Sequence, residues 1–458
     1  MRNKLHYTFF LVFLVTLGLI LLRYLPDIKI GERTLRKVDL LSDVRGDVFQ
    51  ADTTLADTLP VLPVIKPAFI DSCKSGMECI EDYSDSTSHG MSHFYQALSM
   101  TGKMNRPVRI AYLGDSFIEG DILTADLRNM LQKEFGGKGV GYVSVTSKFP
   151  GFRPTVKHSF SGWKSHYVTD TIGFIRSKQD ISNTYSYASA GAFTSLEATG
   201  KYASNLESCT SSSIFYLTAD SLRLSASINS GAEQEFSVKG DSSLQSITVK
   251  GDIKSVKWSI KDASSDALFY AVTMDSDTGV ILDNFSTRGS SGQQLLGIPY
   301  SVLRKYNELR KYDLLVVQYG LNVAFEGGLD YTYYKDGMKS VISHLKKAFP
   351  ETSILIVSIG DRETKDENGN LRTMPGVKSL ITSQQMLAAE TGVAFWNLYN
   401  AMGGEGSMSK LVNTKPSMAN YDYTHINFRG GKHIAALLFE AIMYGKEQYE
   451  KRKAYEAE

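Results

Sequence analysis

Three side chains that lie far apart in the sequence have the types needed to activate a serine. Ser116 follows an apolar run, while Asp422 and His425 stand three residues apart near the C-terminus. A serine hydroxyl is a poor nucleophile until an imidazole takes its proton and a carboxylate holds that imidazole in the right tautomer. We therefore interpret Ser116 as a candidate nucleophile, His425 as its base and Asp422 as the residue that orients the base.

Each of these signals is weak when it is taken alone. The sequence Gly-Asp-Ser ending at Ser116 can be a simple turn with a helix-capping serine, and Asp422 with His425 can be a helix cap beside a surface histidine. The surrounding pattern favours chemistry, because residues 107–113 predict a buried strand and residues 122–135 predict an amphipathic helix. Ser116 would then lie where a parallel strand ends and a helix begins, and backbone N–H groups there can bind an oxyanion.

Two further turns follow predicted buried strands. Asn322 ends the sequence Gly-Leu-Asn after the apolar run 313–319, and a side-chain amide there can donate towards the same place. Residues 288–292, Arg-Gly-Ser-Ser-Gly, follow the strand predicted at 279–286 and expose backbone N–H groups. For Gly289 and for Gly292, the two glycines of residues 288–292, an ordinary tight turn is the alternative interpretation.

The pattern of elements predicts an α/β protein with an insertion. Buried strands alternate with helices after residue 107 and again after residue 279, which is typical of a parallel sheet covered on both faces. Between these parts, short alternating Ser- and Thr-rich segments predict an inserted β-sandwich. The predicted organisation is a membrane anchor or signal segment (1–25), a stalk (26–103), the first part of the α/β domain (104–150), the β-insert (151–275) and the second part of the α/β domain (276–458).

The order of the serine, the glycine turn, Asn322 and the Asp-x-x-His sequence resembles the SGNH (GDSL-type) hydrolase family. The resemblance implies a flavodoxin-like three-layer α/β/α fold and the Ser116, His425 and Asp422 triad, without a metal or cofactor. It also implies an oxyanion hole made of the Ser116 N–H, the Gly292 N–H and the Asn322 side chain. Val323 stands where the family usually has an aspartate.

Here a β-rich insertion separates the Gly-Asp-Ser sequence from the glycine-rich turn. An exported chain with this arrangement is similar to the O-acetylpeptidoglycan esterases, whose insert resembles a carbohydrate-binding module. This implies hydrolysis of O-acetyl esters on a cell-envelope glycan. Trp163, Tyr167 and Trp258 are candidate glycan contacts, with burial in the insert core as the alternative for each. An O-acetyltransferase served by a membrane-bound acetyl donor, and a non-catalytic glycan-binding protein, remain open.

The N-terminal residues predict export. Residues 7–22 carry no charge, Arg2 and Lys4 precede them and Arg23 follows. We favour a membrane anchor at residues 7–25 with the bulk of the chain in the bacterial periplasm, because no small-x-small cleavage site follows. A cleaved signal peptide is the alternative. Export permits a disulfide between Cys73 and Cys79, although three free thiols are equally compatible with the sequence.

Composition excludes some other classes of function. The chain has 458 residues, of which 42% are apolar, so it can bury a sizeable core. Its formal charge of +1 gives no electrostatic case for nucleic-acid binding. None of the histidines lies near a cysteine at the spacing of a zinc site, so we expect no metal centre.

Overall fold

The computed structural model describes residues 2–21, 29–30, 33–34, 69–85, 90–170 and 172–457. They belong to two compact units, Met1–Ala68 and Phe69–Glu458. The first unit contains helix α1 (Arg2–Leu21) and the antiparallel strands β1 (Lys29–Ile30) and β2 (Arg33–Thr34). Among the described residues, no helix is both long enough and apolar enough to cross a membrane. The anchor predicted at residues 7–25 extends past α1 into residues outside those described.

The second unit contains the remaining strands and helices. The strands are β3 (Glu81–Asp82), β4 (Val108–Gly114), β5 (Gly141–Ser144), β6 (Val156–Tyr167), β7 (Thr184–Ala198), β8 (Cys209–Leu217), β9 (Leu222–Ile228), β10 (Gln234–Val238), β11 (Leu244–Ile253), β12 (Ser255–Asp262), β13 (Leu268–Met274), β14 (Val280–Ser286), β15 (Leu314–Gln318), β16 (Ser353–Val357), β17 (Glu363–Lys365), β18 (Leu371–Thr373) and β19 (Ala394–Trp396). The helices are α2 (Ser92–Ser99), α3 (Thr124–Phe135), α4 (Tyr300–Arg310), α5 (Thr332–Ala348), α6 (Gly376–Thr391), α7 (Leu398–Ala401), α8 (Ser407–Asn413) and α9 (Phe428–Ala457).

A six-stranded sheet in the order β14-β4-β15-β16-β19-β3 forms the centre of this unit. The first five of these strands are parallel, and β3 pairs antiparallel with β19 at the edge. Numbered by their appearance in the chain, the parallel strands lie in the order 2-1-3-4-5, which is the flavodoxin-like doubly wound order. In such sheets the connections reverse direction between the first and third strands, here β4 and β15, and a crevice opens beyond their carboxyl ends.

Helices cover both faces of this sheet, as the almost wholly buried strands require. Helices α2 and α3 pack against α9, while α5 packs against α4 and α6. Helix α5 shows why: its buried Tyr334, Met338, Val341 and Leu345 recur every three or four residues and form one apolar stripe. The mixed α/β architecture predicted from the sequence is therefore confirmed.

The inserted part is a separate antiparallel sheet. Its nine strands follow the order β10-β9-β12-β7-β13-β8-β11, with β5 paired to β13 and β6 paired to β7. The sheet starts at Gly141, ten residues before the predicted boundary at 151, because β5 already pairs with β13. The strands alternate, so that Trp258 and Phe269 lie in the insert's own core while Tyr142 and Phe215 join the core of the α/β part.

The described residues 69–85 and 90–103 are not a stalk, which corrects that part of the predicted 26–103 segment. Strand β3 extends the central sheet, and α2 buries Phe94 and Leu98 in the main core. Cys73 and Cys79 form a disulfide with their Cα atoms 6.0 Å apart. The Trp396 indole N–H donates to the Glu78 carbonyl at 3.0 Å, so the segment beside the disulfide contacts the central sheet.

Buried ion pairs join the insert to the α/β part. The Arg310 guanidinium, at the end of α4, donates to Asp275 after β13 at 2.7 Å and to Asp283 in β14 at 2.9 Å. A second cluster surrounds the buried Asp121, whose carboxylate accepts from Arg128 at 3.0 Å and from Arg153 at 2.7 Å. Arg153, near the start of the insert, and Asp275, at its end, are thus both paired with buried charges of the α/β part.

Candidate active site

Ser116 lies beyond the carboxyl end of β4, next to the crevice between β4 and β15. It begins a short 3-10 helix, Ser116–Asp121, which lies between β4 and the helix predicted at 122–135. Phe117 and Ile118 are buried against the core and fix this turn. Ser116 itself is only 5% exposed, so its hydroxyl is held in a defined place.

The structure brings the three residues of the predicted triad together. Ser116 Oγ lies 3.0 Å from His425 Nε2, and His425 Nδ1 lies 2.8 Å from Asp422 Oδ2. With the Nδ1 proton on the Asp422 side, Nε2 keeps a lone pair that can accept the hydroxyl proton of Ser116. This is the arrangement of a serine nucleophile, its general base and the carboxylate that orients the base.

A tight turn presents His425 to the serine. The second carboxylate oxygen of Asp422 accepts the backbone N–H groups of Thr424 at 3.0 Å and His425 at 2.9 Å. Partial burial raises the pKa of Asp422, but the hydrogen bonds from His425 and Thr424 outweigh it and leave this pKa below its usual range. Asp422 therefore stays ionised wherever His425 has to act as a base.

Asp115 links the nucleophile turn to the loop after β15, a role that the sequence analysis did not assign. One oxygen of this buried carboxylate accepts the Phe117 N–H at 3.0 Å, and the other accepts the Leu321 N–H at 3.2 Å. Burial raises the pKa of Asp115 to about 6, although these N–H groups act in the opposite direction. Its position between the glycine and serine of the Gly-Asp-Ser sequence was the only signal available.

Asn322 and the glycine-rich turn also meet at the crevice. Strands β14 and β15 flank β4, with Ser286 and Gln318 both opposite Gly114, so the turns that follow them share one edge of the sheet. The Asn322 amide donates one hydrogen bond to the Ser290 carbonyl at 3.0 Å. Its second amide hydrogen has no acceptor among the residues that the structure describes, so it can donate to a ligand.

The N–H of Gly292, the predicted oxyanion donor of this turn, has a partner within the turn itself. This N–H donates to Ser290 Oγ at 2.9 Å and is therefore engaged inside the turn. A β-carbon on Gly292 would lie 2.8 Å from the Tyr319 ring, so the glycine serves close packing. Gly289, with a φ of 77°, is exposed and its N–H has no hydrogen-bond partner within the described part of the chain. Of the two glycines in this turn, Gly289 is thus the one whose N–H is unoccupied among the described residues.

The three aromatic residues predicted to contact a glycan lie in different environments. Trp258 is fully buried and its indole N–H donates to Ser212 Oγ at 3.0 Å, so it belongs to the insert core and cannot contact a glycan. Trp163 packs against the same core, with its N–H bonded to the Phe193 carbonyl at 2.8 Å. Only Tyr167 lines a cavity, beside the α/β part.

Comparisons with known proteins agree with this architecture. No family model matches the chain, and no curated protein matches it. A solved structure of a peptidoglycan O-acetylesterase is similar over 80% of this chain and 99% of its own, with a TM-score of 0.65 and 20% identity. Such coverage cannot be reached without residues of the β-insert.

Two other solved structures have TM-scores too low to carry an argument. A family two carbohydrate esterase from Clostridium thermocellum, in complex with cellohexaose, aligns with 58% of this chain and 95% of its own at 12% identity and a TM-score of 0.27. An acetyl xylan esterase aligns with 35% of this chain and 81% of its own at 16% identity and a TM-score of 0.28. The similarity to the peptidoglycan O-acetylesterase alone confirms, at the level of fold, the resemblance found in the sequence.

Proposed function

We propose that this protein is an exported serine esterase that removes O-acetyl groups from a cell-envelope glycan such as peptidoglycan. The observation that carries the proposal is the hydrogen-bonded chain from Ser116 through His425 to Asp422 at the crevice of a doubly wound sheet. The fold shared with a peptidoglycan O-acetylesterase supports the class of substrate.

In the proposed reaction each of these groups has one role. Ser116 Oγ attacks the acetyl carbonyl as His425 Nε2 takes its proton, and the resulting oxyanion accepts hydrogen bonds from the Ser116 N–H and the Asn322 amide. The Gly289 N–H is the third donor in this proposal. His425 then returns the proton to the departing sugar oxygen, and a water molecule activated by His425 releases acetate and regenerates Ser116.

An acetyltransferase could use the same triad, since only the acceptor of the acetyl group differs. The exposure of the base favours hydrolysis: the side chains of His425 and Asp422 are 31% and 49% exposed, so water reaches the imidazole. A transferase that has to protect its acyl-serine from water would shield this side. The membrane-bound acetyl donor required by that alternative therefore has less support than direct hydrolysis.

The test is acetate release from O-acetylated peptidoglycan and from p-nitrophenyl acetate. We expect Ser116→Ala and His425→Ala to abolish both activities, while Ser301→Ala, an exposed serine on α4, leaves them intact. Asp422→Asn should retain a residual rate, because it misorients the base without removing it. Full turnover by Ser116→Ala would end the serine mechanism, and acetate release only in the presence of a sugar acceptor would favour the transferase.

Export is part of the proposal, and the observations that support it are independent of the active site. The disulfide Cys73–Cys79 is the kind of bond that persists in oxidising compartments, and residues 7–22 are apolar and uncharged. In spheroplasts we expect added protease to digest the protein, whereas complete protection would contradict export. The N-terminal residue of the mature protein then distinguishes a tether at residues 7–25 from a cleaved signal.

A further inference from the structure

A cavity of about 200 Å³ lies between the Ser116 turn and the β-insert. Glu119 and Gly120 of the nucleophile turn form one side, and Thr287 and Arg288, which precede Gly289, form another. Residues 147–152 of the insert complete the rim. The cavity is smaller than the roughly 300–1,000 Å³ of typical drug-sized sites, which fits a single ring better than a long chain.

Exposed aromatic rings stand at this rim. Phe149 is 51% exposed and Phe152 is 41% exposed, although large apolar side chains of a soluble domain are usually covered. Phe152 contacts the backbone of the nucleophile turn, because a β-carbon on Gly120 would lie 2.5 Å from its ring. The Arg288 guanidinium lies 5.8 Å from the centre of the Phe149 ring. Phe149 thus presents a flat apolar surface near Glu119 of the nucleophile turn, to which Arg288 is bonded.

The wall of the cavity contains a polar atom without a partner. Asn183 is 1% exposed, and its amide nitrogen donates to Thr287 Oγ1 at 3.2 Å. Its amide oxygen has no hydrogen-bond partner within the described part of the chain. The oxygen is fully buried, and a buried acceptor left unpaired costs about 1–3 kcal/mol, so a turn of the amide towards a hydroxyl donor in the cavity would recover that loss.

The loop that carries Phe149 is held in place before any ligand arrives. Lys148 Nζ donates to Thr169 at 2.8 Å and to Asp170 at 2.9 Å, and it lies 4.3 Å from the centre of the Tyr167 ring. On the other side, Arg288 Nε donates to Glu119 at 2.9 Å. Such preorganisation lowers the conformational cost of binding.

We propose that this cavity is a saccharide subsite, in which Phe149 stacks on the apolar face of a sugar ring and the Asn183 amide turns so that its Oδ1 accepts a hydrogen bond from a sugar hydroxyl. The ring bound there is the neighbour of the O-acetylated sugar whose ester lies at Ser116. This inference rests on the proposed function and extends it, because it assigns the insert loop 147–152 to recognition of the glycan strand.

The test measures binding apart from catalysis. Chitotetraose, a neutral β-1,4-linked oligosaccharide, is titrated calorimetrically into the full-length Ser116→Ala protein. We expect Phe149→Ala in this background to weaken binding by at least about tenfold, as truncation of an aromatic anchor does. Phe149→Tyr should keep the affinity, and Tyr333→Ala, which removes an aromatic ring that is 88% exposed on α5, should not change it.

The outcomes separate this inference from the proposed function. No chitotetraose binding to the Ser116→Ala protein, or equal affinity with and without the Phe149 ring, overturns the subsite. A wild-type protein that releases no acetate but binds chitotetraose through Phe149 would overturn the esterase and leave the subsite standing. Because Phe149 is half exposed, its truncation should preserve the fold, which an unchanged melting temperature would verify.

Discussion

Asp115 accepts the Leu321 backbone N–H at 3.2 Å, so one buried carboxylate holds the nucleophile turn against the loop that carries Asn322. The two groups come from neighbouring strands, and a shift of either strand end would separate the nucleophile from its oxyanion donor. The relative position of Ser116 and Asn322 therefore depends on a residue that does not itself touch the ester in the proposed reaction.

The burial of the Asp115 carboxyl makes the stability of the protein depend on pH. The pKa of Asp115 is raised to about 6 by burial, so the folded state holds this proton more tightly than the unfolded state does. Below the pKa of about 4 that Asp115 has in the unfolded chain, ionisation does not affect the free energy of unfolding. As the pH rises from about 4 to about 6, ionising the buried carboxyl increasingly destabilises the folded state, and above about 6 this destabilisation has its full size. We expect the free energy of unfolding of wild type relative to Asp115→Asn to fall over this range in denaturant titrations. A pH-independent difference between the two proteins would contradict the assignment, and Asp336→Asn, an exposed aspartate on α5, is the control.

Asn322 should matter for catalysis more than for stability. Removing one oxyanion donor costs roughly 10²–10³-fold in kcat, so we expect Asn322→Ala to lose about that much with little change in KM. Because the same amide also holds the Ser290 carbonyl, its loss should reduce the melting temperature only slightly. Asn307→Ala on α4 is the matched control. Near-normal kcat would exclude Asn322 from the oxyanion hole.

The two glycines of the turn should respond differently to alanine. Both have positive φ, which costs an L-residue about 1–2 kcal/mol. A methyl group on Gly292 would also collide with the Tyr319 ring, whereas that on Gly289 meets open space. We expect Gly292→Ala to lower the melting temperature clearly more than Gly289→Ala. Equal destabilisation would mean that Tyr319 moves aside freely.

Trp258 should behave as a core residue. It is fully buried and packs against Phe236, with ring centroids 6.0 Å apart. Truncation of a buried tryptophan costs about 3–5 kcal/mol, so we expect Trp258→Ala to destabilise the whole protein by that amount in urea unfolding. Selective loss of glycan binding at unchanged stability would instead restore the recognition role predicted from the sequence.

The sequence predicted the parts of the fold that repeat a strong local pattern. The apolar runs that end at Gly114 and Gln318 could only be buried strands, and their polar turns carried the Ser116 and Asn322 predictions. Alternation in the insert indicated strands, but it does not reveal which face meets a core, so Trp258 and Tyr167 looked equivalent. Likewise, Gly289 and Gly292 look alike in the sequence, and only the structure shows that the Ser290 hydroxyl accepts the N–H of Gly292.

Other features depend on contacts between distant parts of the chain. Strand β5 is short and follows several glycines, and it is a strand only because β13 lies beside it. Residues 69–103 look like a linker because their composition is polar, yet β3 and α2 are fixed by β19 and α9. No local pattern encodes such partners.

The pairing of β5 with β13 bears on the order in which the protein folds. Gly141 lies opposite Met274, so the insert leaves the α/β part and returns to it at adjacent points. Strands β4 and β14 must pair across this whole interval, and closing a long flexible loop delays such non-local contacts. Once the antiparallel sheet has formed, it holds the two ends of this interval close together and so shortens the effective loop between the parallel strands β4 and β14. We therefore expect the insert to fold first, and the nucleophile turn to acquire its final geometry last.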